Sequence, residues 1–416
     1  MSSLNPKHDP FAALRIKEFL FFLNTRFFLT IAIQMQSMLV GWQIYKETGD
    51  YLAMGIIGLT EAIPNIVTCL FSGHIADSFN RKRILVIFVS LFLICSVLLF
   101  YFSRDNSSFI KEYGTFPIYL VIGLTGVIRG FLSPTFPSFM SQLVPREQYV
   151  NSATWNSTVW HVAAIAGPVI AGFICASSFA AAYAVNFVLV FIAIISLLFI
   201  KAKPLPAKDK QESLFSSLSA GLHFVFKNQL ILGALSLDLF AVLFGGAVAM
   251  LPAYADKVLH VTGVELGFLR AAPAFGAVIM ALIIAYKPPK HNAGRNLFIA
   301  IACFGVATIC FALSTNFYLS LFFLVLTGAF DNVSVVIRHT ILQLSTPDNM
   351  RGRVSAVNNI FIGSSNEIGE FESGIAAHAM GLKTSVVFGG VMTLLVVAVT
   401  ARIAPKLRRL DIKKIE

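Results

Sequence analysis

The sequence predicts an all-α membrane protein, with twelve transmembrane helices in two pseudo-symmetric six-helix bundles and both termini cytoplasmic. Three observations predict it. The 416 residues are 56% hydrophobic and only 13% charged, with a mean hydropathy of +0.77, whereas soluble domains carry about 25% charge. Twelve runs reach the length of about 20 apolar residues that crosses a bilayer as helix, and open strands are excluded there because lipid satisfies no backbone polar group. Residue types also recur between the two halves at near-constant offsets.

The first span, 19–45, carries Gln34, Gln36 and Gln43, polar groups placed to line a cavity. The second, 52–73, carries Glu61 and runs into a basic turn from Gly73 to Arg83, in which Asn80 is expected to take up the left-handed conformation of a tight turn. The third span is 84–102. The fourth, 117–141, carries Arg129 and is bent by Pro134 and Pro137. Trp155, Trp160 and His161 lie in the fifth, 150–175, as candidate ligand contacts, followed by the kink and packing residues Gly167, Pro168 and Gly172. The sixth, 180–200, completes an amino-terminal bundle over 1–200.

A polar linker, 201–228, divides the halves, and Leu214, Leu218, Leu222, Val225 and Phe226 share one helical face that suits the inner membrane surface. The carboxyl-terminal bundle, 229–403, holds spans at 229–255 (with Asp238), 264–286 (with Arg270), 296–314, 317–343 (with Asp331 and Arg338), 353–379 (with Glu367 and Glu370) and 384–403. A basic tail, 404–416, follows.

Most of the 32 lysines and arginines fall in the tails, the linker and the loops on the side of both termini, which makes that side cytoplasmic. The net charge of +11 is mainly this asymmetry and gives no reason to expect nucleic acid. Cys69, Cys95, Cys175, Cys303 and Cys310 lie within spans without paired spacing, as small apolar residues and not as a disulfide or metal framework.

Arg129, Pro145, Asn156, Gly167 and Gly172 recur at one offset as Asp331, Pro347, Asn358, Gly369 and Gly374. Gly58, Glu61 and Pro64 recur at a second as Gly267, Arg270 and Pro273. A duplicated six-helix unit suggests a substrate site near midplane, between the repeats, with rocking between two access states. Ionisable groups in spans cost about 2.5–3.5 kcal/mol on insertion scales and are presumed functional. Five acids (Glu61, Asp238, Asp331, Glu367, Glu370) face four arginines (Arg26, Arg129, Arg270, Arg338). Opposite signs at equivalent positions, Glu61 with Arg270 and Arg129 with Asp331, suggest pairs around a central cavity. The excess of acids points to a proton-carrying carboxyl, with Glu61 ranked first and Asp331 and Asp238 after it.

With these features the chain resembles the major facilitator superfamily along nearly its whole length. Gly73, Asp77, Arg81 and Lys82 match its loop 2–3 signature, with Ser78 and Asn80 departing from it. The resemblance implies that this loop gates the inner face, with Asp77 meeting the amides near Val354, or Arg351. Arg129-Gly130 resembles the fourth-span arginine signature of proton-coupled members, and Gly167-Pro168 with Gly172 resembles the fifth-span motif of exporters. The stretches Asn332 to Arg338, Pro347 to Ser355 and Asn366 to Gly374 resemble the enterobactin-exporter and macrolide-efflux branch.

The function expected is therefore secondary active transport in the bacterial inner membrane: proton-coupled export of a siderophore, drug or other medium-sized organic compound. The carrier is expected to be a monomer in the lipid bilayer whose partners are its small-molecule substrate and protons, with a separate outer-membrane exit route. No cofactor or metal is implied, and no phosphate-binding Gly-x-x-x-x-Gly-Lys motif is present for direct ATP coupling. The rival readings are nutrient uptake, a non-transporting scaffold, and a metal-dependent protein built on Glu367, Glu370 and Glu372.

Overall fold

The computed structural model describes residues 9–104, 108–204, 214–287, 289, 291–347 and 350–411. Among them, eleven helices are long and apolar enough to cross a membrane. Six come first: α1 (Lys17–Thr48), α2 (Tyr51–Ser78), α3 (Arg81–Phe102), α4 (Phe116–Met140), α5 (Tyr149–Cys175) and α6 (Phe179–Leu198). After a linker helix, Leu214–Lys227, come α7a (Gln229–Phe244) and α7b (Leu251–Lys257), α8 (Gly263–Tyr286), α9 (Ala293–Leu313) and α10 (Phe317–Ser345). Then come α11 (Arg351–Met380) and α12 (Leu382–Ile403). The 30-residue α11 is the one long helix outside the eleven, because Glu367, Glu370 and Glu372 lower its hydropathy. It is nevertheless about 45 Å long and packs on α2, α7a and α12.

The two halves pack by one rule. In the first, α1 lies on α5 and α6, α2 on α4, and α3 on α4 and α6. In the second, α7a lies on α11 and α12, α8 on α10, and α9 on α10 and α12. Between halves, α2 packs on α11 and α5 on α8. Glycine permits several of these close approaches. A methyl group at Gly126 of α4 would lie 2.4 Å from the Glu61 carbonyl oxygen, and one at Gly328 of α10 would lie 1.8 Å from that of Pro273. Small residues four apart, Gly126 and Gly130, are how membrane helices pack without large side chains between them.

Several local details differ from the expectations. Asn80 has φ −62° and caps α3, accepting from the Arg83 amide at 3.2 Å, so no left-handed turn is needed. The seventh span is broken at Gly245-Gly246 and passes through a 3-10 turn, Ala247–Met250. The linker helix divides its apolar face: Val225 is buried, while Leu222 and Phe226 stay exposed. The side chains of Leu214 and Leu218 lie outside the described residues. The tail begins with a short helix, Pro405–Arg408, whose Leu407 is buried with Leu297 and Phe298. The Gly294 amide donates to Leu410 O at 3.0 Å, so the tail covers the start of α9.

At the end of the bundle opposite both termini, polar contacts tie the halves together. Tyr45 and Lys46 bind Asp256, at 3.3 and 2.5 Å. Lys257 donates to Tyr51 Oη at 3.1 Å, and His378 lies 3.4 Å from Asp50. The glycine seams reinforce this closure. A methyl at Gly374 would sit 2.6 Å from the Cα of Gly55, and one at Gly172 would sit 2.4 Å from Gly263 O. Removing the Lys46–Asp256 contact by a double alanine substitution is expected to loosen this end. A cysteine introduced at Met54, just inside it, should then react severalfold faster with a membrane-impermeant maleimide.

Candidate functional site

Halfway along α2, α4, α8 and α11 the chain places its charges together. Gly126 and Gly130 bring α4 against α2, and the Arg129 guanidinium donates to Glu61. Gly55 and Gly58 bring α11 against the same helix: a methyl at Gly58 would meet Glu367 O at 2.6 Å. Arg129 Nη1 therefore also lies 3.7 Å from Glu367 Oε1, an ion pair between the two halves. Asn65, one turn beyond Glu61, donates to the same oxygen at 3.2 Å. The second oxygen, Glu367 Oε2, is buried and has no partner. A cavity of about 50 Å³ lies beside this cluster and is lined by Gln36, Ser37, Glu61, Arg129, Arg270 and Glu370, among others.

Arg270 does not pair with Glu61. Its Nη1 donates to Val248 O at 3.0 Å and its Nη2 to Ser37 Oγ at 2.8 Å. The 3-10 turn within the seventh span presents the Val248 carbonyl to this guanidinium. Arg129 does not reach Asp331 either. The helices that carry these charges do not pack on their symmetry mates, since α2 meets α11 and not α8, and α10 meets α8 and not α4. Each charge therefore finds its partner on a neighbouring helix and not on its symmetry mate.

Arg338 and Asp238 pair inside the second half, 3% and 5% exposed, with Ser334 Oγ 3.4 Å from Asp238. This pair lies on the walls of neither cavity described here. Asp238→Asn would leave a buried arginine uncompensated, and is expected to lower stability by about 3–5 kcal/mol. Replacing both residues with leucine and methionine should restore most of that in thermal unfolding of the purified protein.

The other expected site residues are spread out. Gln36 lines the central cavity with Oε1 unpartnered, whereas Gln34 packs its Cβ on Gly167. The Trp155 indole donates to Pro10 O at 3.0 Å and lies against the tilted ring of Phe11, which places it under the amino-terminal segment. Trp160 is 42% exposed and meets His161 edge-on, and His161 Nδ1 is buried without a partner. None of these three reaches either cavity. In the loop signature, Arg81 donates to Ala76 O and Ser138 O (3.2 and 3.0 Å), and Lys82 to Leu198 O (3.0 Å). These two cations thus serve the carboxyl ends of α2, α4 and α6. Gly73 has open space around it, and the Asp77 side chain lies outside the described residues. Gly167 packs on α1, while Gly172 and the Pro168 carbonyl form the seam with Gly263 and Gly267 of α8. Sequence reasoning missed Ser37 and Asn65. The signal for Asn65 was present, a polar residue one turn from Glu61 on a membrane helix.

Two helical halves that pack by one rule around buried charges define a polytopic membrane protein. The family profile of the Major Facilitator Superfamily matches residues 22–370. The chain belongs to that superfamily, a family of transporters rather than enzymes, and is a multi-pass membrane protein. It is 25% identical to the enterobactin exporter EntS of Shigella boydii serotype 18 over 347 residues, 80% of this chain and 78% of that one. To EntS of Escherichia coli O81 it is 24% identical over the same shares. Among solved structures it is similar to a bacterial homologue of the human lysosomal transporter Spinster, inward-facing and unoccupied. The TM-score is 0.75 at 14% identity, over 95% of this chain and 98% of that one. A D-xylose–proton symporter gives 0.73 at 14% identity, over 94% and 99%. These structural likenesses concern the fold.

Proposed function

We propose that the chain is a proton-coupled exporter of the inner membrane, moving a medium-sized organic compound outward by alternating access. The carrying observation is the cluster of Glu61, Arg129 and Glu367, which joins the halves through one guanidinium. With Glu370 and Arg270, which line the adjacent cavity beside Glu61 and Arg129, it makes three acids against two arginines. A buried uncompensated charge is costly, so the cluster is neutral when one carboxyl holds a proton. The unpartnered Glu367 Oε2 is the place for it. The sequence ranks Glu61 first, but Glu61 is already engaged by Arg129.

Gaining the proton weakens the hold of Arg129 on Glu367 and lets the halves part; losing it restores the bridge. One proton moving down about 100 mV releases about 2.3 kcal/mol, and each pH unit adds about 1.4 kcal/mol. That supports a gradient of several hundredfold for a neutral compound at one-to-one exchange. The relatives named as enterobactin exporters favour export, with a siderophore, a drug or an amphipathic metabolite as cargo. With both termini cytoplasmic, the tied end faces outward.

The test is mass spectrometry of culture medium and cells, with and without the gene, in iron-replete and iron-starved growth. A compound lost from the medium and retained in cells establishes export and names the cargo. Unchanged media in both conditions would remove the export of an endogenous product.

A further inference from the structure

A second cavity, of about 270 Å³, lies within the carboxyl-terminal half and is larger than the central one of about 50 Å³. The two share Ala249 and Glu370. The larger cavity opens where the seventh span breaks, with Val242 and residues 245–249 along one wall. Opposite are the apolar side chains of Pro273, Phe304, Phe311 and Leu324.

The ionisable side chains that line it have one sign. Asp331 and Glu370 are its ionisable residues, and no lysine or arginine lines it. Among the described residues neither carboxylate has an ion pair or hydrogen bond, and the nearest cation on the same helix, Arg338, is committed to Asp238. The end of α7a adds the negative pole of a helix dipole. Asn366 also lines the cavity, but its amide is used on Ile362 O at 3.0 Å and does not neutralise Asp331. Aromatic faces and carboxylates together suit a cation that is also apolar, since ring faces attract positive charge. Bare metal ions fit poorly, because they require several oxygens converging within about 2.6 Å and not a roomy space with two carboxylates and largely apolar walls.

We propose that this cavity binds the cationic head of an amphipathic organic compound, with Asp331 as its counter-ion. The proposal deepens the transport reading, on which it rests for the role of the bound compound as cargo. Glu370, shared by the two cavities, then connects cargo and proton: a cation held at Asp331 acts on the same carboxylates that Arg129 and Arg270 face. The site also differs from the expected one, because the cargo charge is met by one repeat alone and not at the repeat boundary.

The test is equilibrium binding of radiolabelled tetraphenylphosphonium to the full-length purified protein, with tetraphenylborate as a size-matched anion. Wild type is expected to bind the cation saturably and to ignore the anion. Asp331→Asn should weaken binding about tenfold or more, at least about 1.4 kcal/mol, while Asp331→Glu stays near wild type and guards against misfolding. Equal affinity in Asp331→Asn, equal binding of anion and cation, or no binding by folded wild type would overturn the proposal. So would displacement by sodium chloride but not potassium chloride, which would mark a metal-ion site. If binding behaves as expected while culture media do not change, the site stands and the transport reading falls separately.

Discussion

Arg129→Ala is expected to abolish transport and to cost about 3–5 kcal/mol of stability, the range seen when one partner of a buried ion pair is removed. The reason is arithmetic as much as geometry. Among the described residues, Arg129 is the one cation within ion-pair distance of both Glu61 and Glu367, so its loss leaves two carboxylates uncompensated between α2 and α11. Arg129→Lys keeps the charge but loses the fork of donors that serves both acids. It should recover most of the stability and little of the transport. Thermal unfolding in detergent, together with efflux of the compound identified from the medium, separates these effects. Wild-type efflux by Arg129→Ala would make the pair a packing device only.

Glu367→Gln should produce the second large effect, in the opposite direction for stability. The amide matches the shape of a protonated carboxyl and lowers the negative charge at the centre by one. The variant should therefore be as stable as wild type or more so. In proteoliposomes it should still exchange labelled for unlabelled compound, yet lose all acceleration by an imposed pH gradient. Glu61→Gln should also lose proton-driven transport, since Arg129 would then be held by Glu367 alone. Undiminished response to the gradient in Glu367→Gln would move the proton elsewhere, with Glu370 next in line.

Much of this was legible in the chain because lipid is a severe solvent. Apolar length predicts the helices, and the recurrence of Arg129 and Gly167 as Asp331 and Gly369 reflects a packing rule that the two halves share. What failed was the step from symmetry to contact. Equivalent positions occupy equivalent helices, but partners lie on adjacent ones, so Arg129 reaches Glu61 and not Asp331. The break in the seventh span was masked by its unbroken hydropathy. Gly245-Gly246 was the sign of it, as paired small residues often accompany kinks. The aromatic residues of α5 were misjudged for another reason. Trp155 is covered by Pro10 and Phe11, and such long-range coverage leaves no periodic trace. Ser37 is a short polar residue that becomes informative only once Arg270 is placed beside it, whereas Asn65 already stood one turn from Glu61.

The pairing of α2 with α11 also bears on the history of the molecule. The first repeat supplies the Glu61–Arg129 pair, and the second supplies Glu367 from a helix with no acidic counterpart at the matching place in α5, where Ile165 stands. Two copies of the first repeat, assembled as an ancestral homodimer would be, would bring together two satisfied pairs and nothing to bridge them. Two copies of the second would gather acids around a cavity that already lacks cations. The central bridge thus requires the two halves to differ, which two identical subunits would not provide.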